Sequence, residues 1–205
     1  MSTEGCSDAD LLEQWRQGKQ SAGQALFERH YAALDRFFRN KAGQDCQELL
    51  QRSFLACLEK RDTLRKAASF RAFLFGVARF ELLRYFNERR RRADPVDPAR
   101  SSLHDLRTSP SCVIAERQER RLLAKALPRL PIDLQITVEL HYWEGLSATE
   151  IGDVVGIPPG TVKSRLRRAK QQLFTEIGRL SADLSTVSSQ LTNLDSWAAA
   201  LDARP

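Results

Sequence analysis

Few features of this sequence suggest a secreted, membrane-bound or catalytic protein. Its four cysteines include no Cys-x-x-Cys pair, and its three histidines show neither metal-ligand spacing nor a neighbouring nucleophile motif. The N-terminus is polar and acidic, which argues against a signal peptide. No apolar run approaches the ~20 residues that a membrane span needs. We therefore expect a cytoplasmic protein that binds no metal or cofactor, inserts into no membrane and is not an enzyme.

Glycine and proline are modest in number, at 10 and 8 of 205 residues, so the chain is not broadly disordered. Apolar residues make up 42%, which supports a real core in one or two domains. Cys46 and Cys57 lie on the apolar side of a predicted helix, so we expect buried free thiols there; a redox sensor is the alternative. The formal net charge of +6 suits a nucleic-acid partner without proving one.

Helical periodicity dominates the chain, and no strand pattern extends beyond a few residues. Ser7 and Asp10 predict the cap of a first short helix, which Gly18 ends. A longer second helix is expected from about Ser21 to Asn40. These patterns indicate an all-α protein.

The third predicted helix begins at a cap formed by Asp45 and Glu48, ends near Lys60 and is strongly amphipathic. Its apolar positions are Cys46, Leu49, Leu50, Ser53, Phe54, Cys57 and Leu58. The opposite face is polar and includes Gln51 and Arg52. Most faces of this kind are merely solvated, so the pattern alone does not predict a binding site.

A fourth helix is expected from near Ser69 to about Arg92, and its second half is rich in aromatic and basic side chains. Such interleaving suits single-stranded nucleic acid, because bases stack on rings while cations follow phosphates. The alternative is that the aromatics belong to the core and the arginines complement the helix dipole. The sequence leaves both interpretations open.

A capped short helix, a glycine break and a basic helix follow one another in the second half of the chain. Ser147 and Glu150 have the spacing of a capping box, and Gly156 suits the left-handed conformation after a helix. Pro158-Pro159 prevents continuation but is compatible with the start of a new helix. Five of the ten residues 161–170 are Lys or Arg. This order predicts a helix-turn-helix whose second helix enters the major groove of DNA.

Two stretches lie outside the segments described above, one after the fourth helix and one at the C-terminus. Residues 93–111 are rich in proline and serine and predict a flexible linker. Residues 179–205 carry little charge from Asp183 onward, and their apolar positions recur at steps of three and four. They predict a C-terminal helical extension that is either inert or regulatory, with Trp197 as the anchor of a regulatory contact. A disordered tail is the further alternative.

The second half of the chain resembles region 4 of bacterial sigma factors, most closely that of the small extracytoplasmic-function (ECF) class. The residues that carry this resemblance are Leu130-Pro131, His141 to Ser147, Glu150-Ile151, Gly156-Ile157 and Gly160 to Ala169. The first half resembles region 2 of the same proteins. Asp45 to Leu55 is similar to the helix that binds core polymerase, and Phe70 to Arg79 is similar to the segment that leads into promoter melting.

The resemblance implies two small helical domains, region 2 over residues 8–92 and region 4 over residues 112–178. The flexible linker 93–111 would join them, and residues 179–205 would form the C-terminal extension. The implied partners are the RNA polymerase core and promoter DNA, with an anti-sigma factor as a further partner. The implied function is promoter recognition and transcription initiation, with the chemistry supplied by the polymerase.

The resemblance also implies three sets of contact residues. The second helix of the helix-turn-helix would read the −35 element through Thr161, Lys163, Ser164, Arg165, Arg167 and Arg168. The fourth helix would open the −10 element through Arg79, Phe80, Arg84, Tyr85, Asn87, Arg89 and Arg90. The third helix would bind core polymerase through Asp45, Glu48, Leu49, Gln51, Arg52 and Phe54.

The sequence departs from the family pattern at positions that matter for the −10 element. Phe80 stands where the family usually has Asn, Arg84 where it often has Asp, and Asn87 where it has Arg. These departures predict an unusual −10 sequence. At the start of the recognition helix, Pro158-Pro159 replaces the more usual Ser-Val, so a side-chain cap is lost there.

A helix-turn-helix regulator that does not recruit core polymerase is the alternative function. In that case residues 8–92 would form a sensor or dimerisation domain. Binding of core polymerase by these residues would distinguish the two.

Overall fold

The computed structural model describes residues 6–61, 70–92 and 118–180, and every regular element in these ranges is a helix. The predicted all-α class is therefore confirmed. The chain divides into an N-terminal unit and a C-terminal unit that begins at Ser102. The predicted linker and all but the first two residues of the predicted C-terminal extension lie outside the described ranges. Among the described helices, none is long and apolar enough to cross a membrane.

Four α-helices and a 3-10 turn at Gly43–Asp45 form the described part of the N-terminal unit. The helices are α1 (Asp8–Arg16), α2 (Gln20–Ala42), α3 (Cys46–Glu59) and α4 (Phe70–Arg92). The predicted cap of α1 is confirmed, because the Ser7 hydroxyl accepts the Asp10 N–H at 3.2 Å and the Asp10 carboxylate accepts the Ser7 N–H at 3.1 Å. Gly18 follows α1 with φ 93°, a value that glycine adopts at no steric cost.

Leucine and phenylalanine side chains from all four helices form the core of this unit. The largest buried ones are Leu11, Leu12, Leu26, Leu34, Phe38, Leu49, Leu50, Phe70, Leu74, Phe75 and Leu82. Phe37 packs edge-on against Phe38 and Phe75, with ring centroids 5.4 and 5.5 Å apart. Because burial of such a side chain contributes about 1.5–3 kcal/mol, the core stabilises the unit far more than its surface ion pairs do.

The amphipathic pattern of α3 correctly predicted most of its buried residues. It was wrong for two residues that border the buried side of the helix. The buried positions are Cys46, Leu49, Leu50, Ser53 and Cys57. Leu58 is instead 47% exposed and Phe54 is half-buried. The predicted cap at Asp45 is also wrong, because its side chain makes no capping hydrogen bond. On α2, Tyr31 falls at helical spacing from the buried Leu34 and Phe38, and yet it is 42% exposed.

The two cysteines of α3 are buried free thiols, as predicted. Burial raises the pKa of Cys57 to about 12. Burial also raises the pKa of Cys46 to about 12, and the contact of its Sγ with the Asp35 carboxylate at 3.4 Å acts in the same direction. A thiol with so high a pKa carries almost no thiolate at neutral pH, so neither residue fits the redox-sensor alternative.

The described part of the C-terminal unit contains four α-helices and a 3-10 turn at Leu127–Arg129. The helices are α5 (Gln118–Ala126), α6 (Ile132–Tyr142), α7 (Ala148–Val155) and α8 (Pro159–Leu180). One cluster from α5, α6, α8 and the stretch between α5 and α6 forms its core: Leu123, Ala126, Leu127, Leu130, Leu134, Val138, Ala169, Leu173 and Ile177. His141 packs as a structural residue, with its Nδ1 3.1 Å from the Leu146 carbonyl oxygen.

Candidate nucleic-acid and polymerase interfaces

Specific residues start α7, end it and start α8. The predicted capping box is confirmed: the Ser147 hydroxyl accepts the Glu150 N–H at 3.2 Å, and the Glu150 carboxylate accepts the Ser147 N–H at 2.9 Å. Gly156 is left-handed at φ 74°, and its N–H donates to the Gly152 carbonyl at 2.8 Å. α8 begins at Pro159, where a missing N–H costs little. The predicted helix-turn-helix is therefore present.

Gly152 lies where α7 comes closest to the start of α8. A Cβ at this position would be 2.7 Å from the Ile157 carbonyl oxygen and 3.8 Å from Cδ of Pro159. The carbonyl belongs to the backbone of the turn and cannot rotate away as a flexible side chain would. The close approach of the two helices therefore requires glycine at residue 152, a requirement that the sequence pattern did not reveal.

Helix α8 buries its apolar side and exposes its basic side. Val162, Leu166, Ala169 and Leu173 recur at helical spacing; Leu166 is half-buried and the other three are buried. The exposed residues of the predicted −35 set are Thr161, Lys163, Ser164, Arg167 and Arg168. Arg165 differs from them, because it is half-buried and its Nη1 is enclosed without a hydrogen-bond partner among the described residues. Cationic side chains on the exposed face give this helix the charge that DNA phosphates require.

The predicted −10 set on α4 includes both exposed and buried side chains. Phe80 is 59% exposed, and Lys60 Nζ lies 5.7 Å from the centroid of its ring. Asn87 and Arg90 are exposed as well, whereas Arg79 is half-buried. Tyr85 is only 8% exposed, so its ring has no open face on which a base could stack. Among the aromatic rings of α4, Phe80 is the exposed one, whereas Phe73 and Phe86 are half-buried, so Phe80 offers the most accessible face for stacking.

The Tyr85 hydroxyl lies between a carboxylate and a guanidinium. It donates a short hydrogen bond to Asp45 Oδ2 and accepts one from Arg89 Nη1 at 2.7 Å. Arg89 Nη1 is 3.9 Å from the same Asp45 oxygen, and its guanidinium carbon is 5.6 Å from the Tyr85 ring centroid. Burial raises the pKa of Tyr85, and the hydrogen bond to Asp45 raises it further. The tyrosine is therefore neutral and connects residue 45 to α4.

A second set of polar contacts also joins α3 to α4. Arg52 pairs with Glu48 at 2.5 Å on its own helix and with Glu88 at 3.5 Å on α4. Glu88 accepts a hydrogen bond from Arg84 Nε at 2.9 Å, and this bond lowers the pKa of the Glu88 carboxyl. Arg84 also lies 3.7 Å from the buried Glu81. Two predicted polymerase contacts and one predicted DNA contact thus share one ion-pair network.

The structure separates the predicted polymerase contacts on α3 into surface and core residues. Glu48 and Gln51 are exposed, and Arg52 is partly exposed. Leu49 is 1% exposed and belongs to the core, so the prediction that it contacts polymerase is wrong. Phe54 is half-buried and packs on Phe27, with ring centroids 4.6 Å apart. The family motif assigned all these residues to one interface, although Leu49 and Phe54 face the interior of the unit.

Two residues of these networks, Glu81 and Glu88, were absent from the predicted sets. Glu81 and Glu88 lie three residues before and four residues after Arg84, the spacings at which helical side chains pair. That signal was available from the sequence. The contact between Asp45 and Tyr85 was not, because the two residues are 40 positions apart.

Within the described ranges no group of three or more His, Cys, Asp or Glu side chains is arranged to hold a metal ion. His30 instead contacts Asp8, with its Nε2 2.7 Å from the carboxylate, and Arg29 Nη1 donates to the same carboxylate at 2.6 Å. Burial opposes ionisation of Asp8, but these contacts outweigh it and lower its pKa. The group fastens α1 to α2.

Two family models match this chain in the order that the fold presents them. A sigma-70 region 2 model matches residues 26–92, which include α3 and α4. A sigma-70 region 4 model matches residues 120–173, which include the helix-turn-helix. Together they span more than half of the chain. The chain belongs to the sigma-70 family of RNA polymerase sigma factors, and the alternative of a regulator with residues 8–92 as a sensor domain has no support.

The relatives place the chain in the ECF group. It is 25% identical to the ECF RNA polymerase sigma-E factor of Haemophilus influenzae over 83% of this chain and 95% of that protein. It is 29% identical to the RNA polymerase sigma factor CarQ of Myxococcus xanthus over 85% of this chain and 99% of that protein. The chain is an ECF sigma factor.

Solved structures agree on the fold. CnrH in complex with the cytosolic domain of CnrY superposes with a TM-score of 0.63 at 22% identity, over 85% of this chain and 99% of that chain. The sigma factor RpoE in complex with the anti-sigma factor NepR from Bartonella quintana gives a TM-score of 0.57 at 21% identity, over 75% of this chain and 95% of that chain.

Proposed function

We propose that this sigma factor binds core RNA polymerase through the polar face of α3, reads the −35 element with α8 and opens the −10 element with α4. The observation that carries the proposal is the joint presence of an exposed basic recognition helix and an exposed polar face on α3, each inside its matching sigma region. The protein performs no catalytic step of its own, because the polymerase supplies the chemistry. Residues 8–92 and 112–178 are the proposed working domains.

For the −35 element, the first residues of α8 contact base edges and later ones contact phosphates. Thr161, Lys163 and Ser164 lie in the first two turns, where a recognition helix approaches the groove. Arg167 and Arg168 follow and supply phosphate contacts, which fix the helix on the duplex without reading sequence. Arg165 reads a base edge once its enclosed guanidinium turns toward the groove.

For the −10 element, we assign the stacking role to Phe80 rather than to Tyr85. A stacked base contributes about 1–3 kcal/mol, and stacking requires an accessible ring face. The ring of Phe80 has such a face, and the nearby Lys60 adds a cation close to it. Phe80 also stands where the family usually has Asn, so this ring accounts for the unusual −10 sequence that we expect.

For core polymerase, the proposed contact is the surface formed by Glu48, Gln51 and Arg52. These side chains lie on the exposed side of α3, and two of them are ion-paired to each other. A partner that binds this surface meets both signs of charge at close spacing. Charged surfaces of this kind chiefly determine specificity and association rate.

The test is in vitro transcription with purified core polymerase and a genomic promoter library. Glu48→Arg should lose core binding in a pull-down and lose transcripts, while the helical content stays unchanged. Glu13→Arg is the matched control, because Glu13 is exposed on α1 to the same degree, 59% against 58% for Glu48, and the change in charge is identical. Equal pull-down of core polymerase by both variants would reject the α3 contact.

An anti-sigma factor is a further proposed partner. Of the two solved structures described above, one is CnrH bound to the cytosolic domain of CnrY, and the other is the sigma factor RpoE bound to the anti-sigma factor NepR. Co-purification of the full-length chain from its native host, followed by mass spectrometry, tests this proposal. Recovery of polymerase subunits alone would count against it.

A further inference from the structure

We propose that Tyr85 is a positioning residue for promoter opening. Its hydroxyl joins Asp45, at the start of α3, to Arg89, on the basic end of α4, and thereby holds the Arg89 guanidinium toward the DNA backbone. The inference rests on the proposed function of α4 in opening the −10 element. It gives roles to two residues, Tyr85 and Asp45, that differ from the base-stacking and polymerase-binding roles implied by the family resemblance.

Burial and hydrogen bonding together support a positioning role for Tyr85. The ring is 8% exposed and packs against Phe86, with centroids 5.4 Å apart, so the hydroxyl is held in one place. The same oxygen donates to the Asp45 carboxylate and accepts from Arg89 Nη1. A neutral phenol can satisfy both partners at once, because it has one O–H donor and two acceptor lone pairs.

Arg89 is held at one end and remains accessible at the other. One N–H of Nη1 is used by Tyr85, whereas a guanidinium has five N–H donors in a planar fork. The side chain is 53% exposed, so its other donors face solvent. A fixed guanidinium loses less conformational entropy on binding a phosphate than a mobile one does.

Asp45 is the third member of this arrangement, and its contacts with Tyr85 and Arg89 explain why its carboxylate does not cap α3. Its side chain makes no capping hydrogen bond and instead accepts from Tyr85 and pairs with Arg89 at 3.9 Å. This orientation joins the beginning of the polymerase-binding helix to the end of the DNA-binding helix. A displacement of α3 on binding polymerase therefore reaches Arg89 through two hydrogen bonds.

The experiment measures promoter opening by permanganate footprinting with reconstituted holoenzyme and the full-length chain. Tyr85→Phe removes only the hydroxyl and keeps the buried ring. A charge-assisted hydrogen bond of this kind corresponds to roughly a tenfold effect, so we expect Tyr85→Phe and Arg89→Ala each to lower the opening constant about tenfold. The double variant should open no worse than Arg89→Ala alone. Tyr31→Phe is the matched control, since it removes an exposed phenol hydroxyl from α2.

A second readout separates positioning from mere stabilisation. If Arg89 contacts a phosphate, Arg89→Ala should reduce the slope of log affinity against log salt by about one, and Tyr85→Phe should do the same. A purely structural hydroxyl would lower the urea midpoint and leave this slope unchanged. That outcome would overturn the inference.

Phe80→Ala distinguishes failure of this inference from failure of the proposed function. If Phe80→Ala impairs opening while Tyr85→Phe matches the wild type, α4 opens the promoter and Tyr85 does not position Arg89. If opening is normal in Phe80→Ala and Arg89→Ala alike, the role of α4 itself is wrong, and the inference falls with it.

Discussion

Replacement of Gly152 by alanine tests whether close backbone packing sets the turn between α7 and α8. Inside a helix, alanine is favoured over glycine by about 1 kcal/mol. At this position, however, the new Cβ would lie 2.7 Å from the Ile157 carbonyl oxygen, so the turn must shift. Overpacking of a fixed site costs about 1–3 kcal/mol. Because the obstacle is backbone, we take the upper part of that range and expect a net loss of about 1–2 kcal/mol.

The matched control is Gly160→Ala, which adds the same methyl group in the first turn of α8. A Cβ at Gly160 would meet nothing within 4 Å, so this variant should be neutral or slightly more stable. Urea denaturation of the full-length chain gives the change in stability, and amide exchange in α7 and α8 locates it. Gly152→Ala should also bind −35 DNA more weakly. A variant as stable as Gly160→Ala, with unchanged exchange, would refute the packing argument.

Three further predictions concern recognition, the thiols and the C-terminal extension. Arg165→Ala should relax preference at one −35 position by about 1–3 kcal/mol, whereas Arg168→Ala should weaken all sites alike; equal loss across −35 variants for Arg165→Ala would reject its assignment. With its pKa raised from an ordinary 9.0 to about 12, Cys57 should hold about a thousandfold less thiolate at pH 8 and resist iodoacetamide until the protein unfolds, as mass spectrometry can show. Truncation after Leu180 should raise transcription by holoenzyme if the extension is autoinhibitory, and unchanged activity, stability and oligomeric state would remove that role.

The sequence predicted the fold well where local signals are strong. The capping pairs Ser7 with Asp10 and Ser147 with Glu150, and the left-handed Gly156, were all confirmed, because each depends on residues within one helical turn. It failed at Asp45, whose spacing to Glu48 also fits a cap. There a tertiary contact with Tyr85 takes the carboxylate away from the helix end, and no local rule predicts a partner from α4.

The candidate sites were predictable as segments but not as individual side chains. A motif places a whole helix at an interface, whereas burial divides that helix into an inner and an outer face. Leu49 and Tyr85 were both assigned to contacts from the motif, and both turned out to be buried. The packing of α4 against α3 determines which aromatic residue of α4 faces solvent. Phe80 was identified as the accessible ring only from the structure.

The Pro158-Pro159 step between α7 and α8 affects the free energy of DNA binding, because it lowers the entropic cost of ordering the turn. Each proline ring fixes its φ near −65°, so the connection has few alternative conformations even in the unfolded chain. The relative placement of the two helices is thus set during folding rather than during the encounter with a promoter. Little ordering remains for DNA to impose on this turn, and the affinity for a given −35 sequence reflects the contacts of α8 more directly than it would with a mobile hinge.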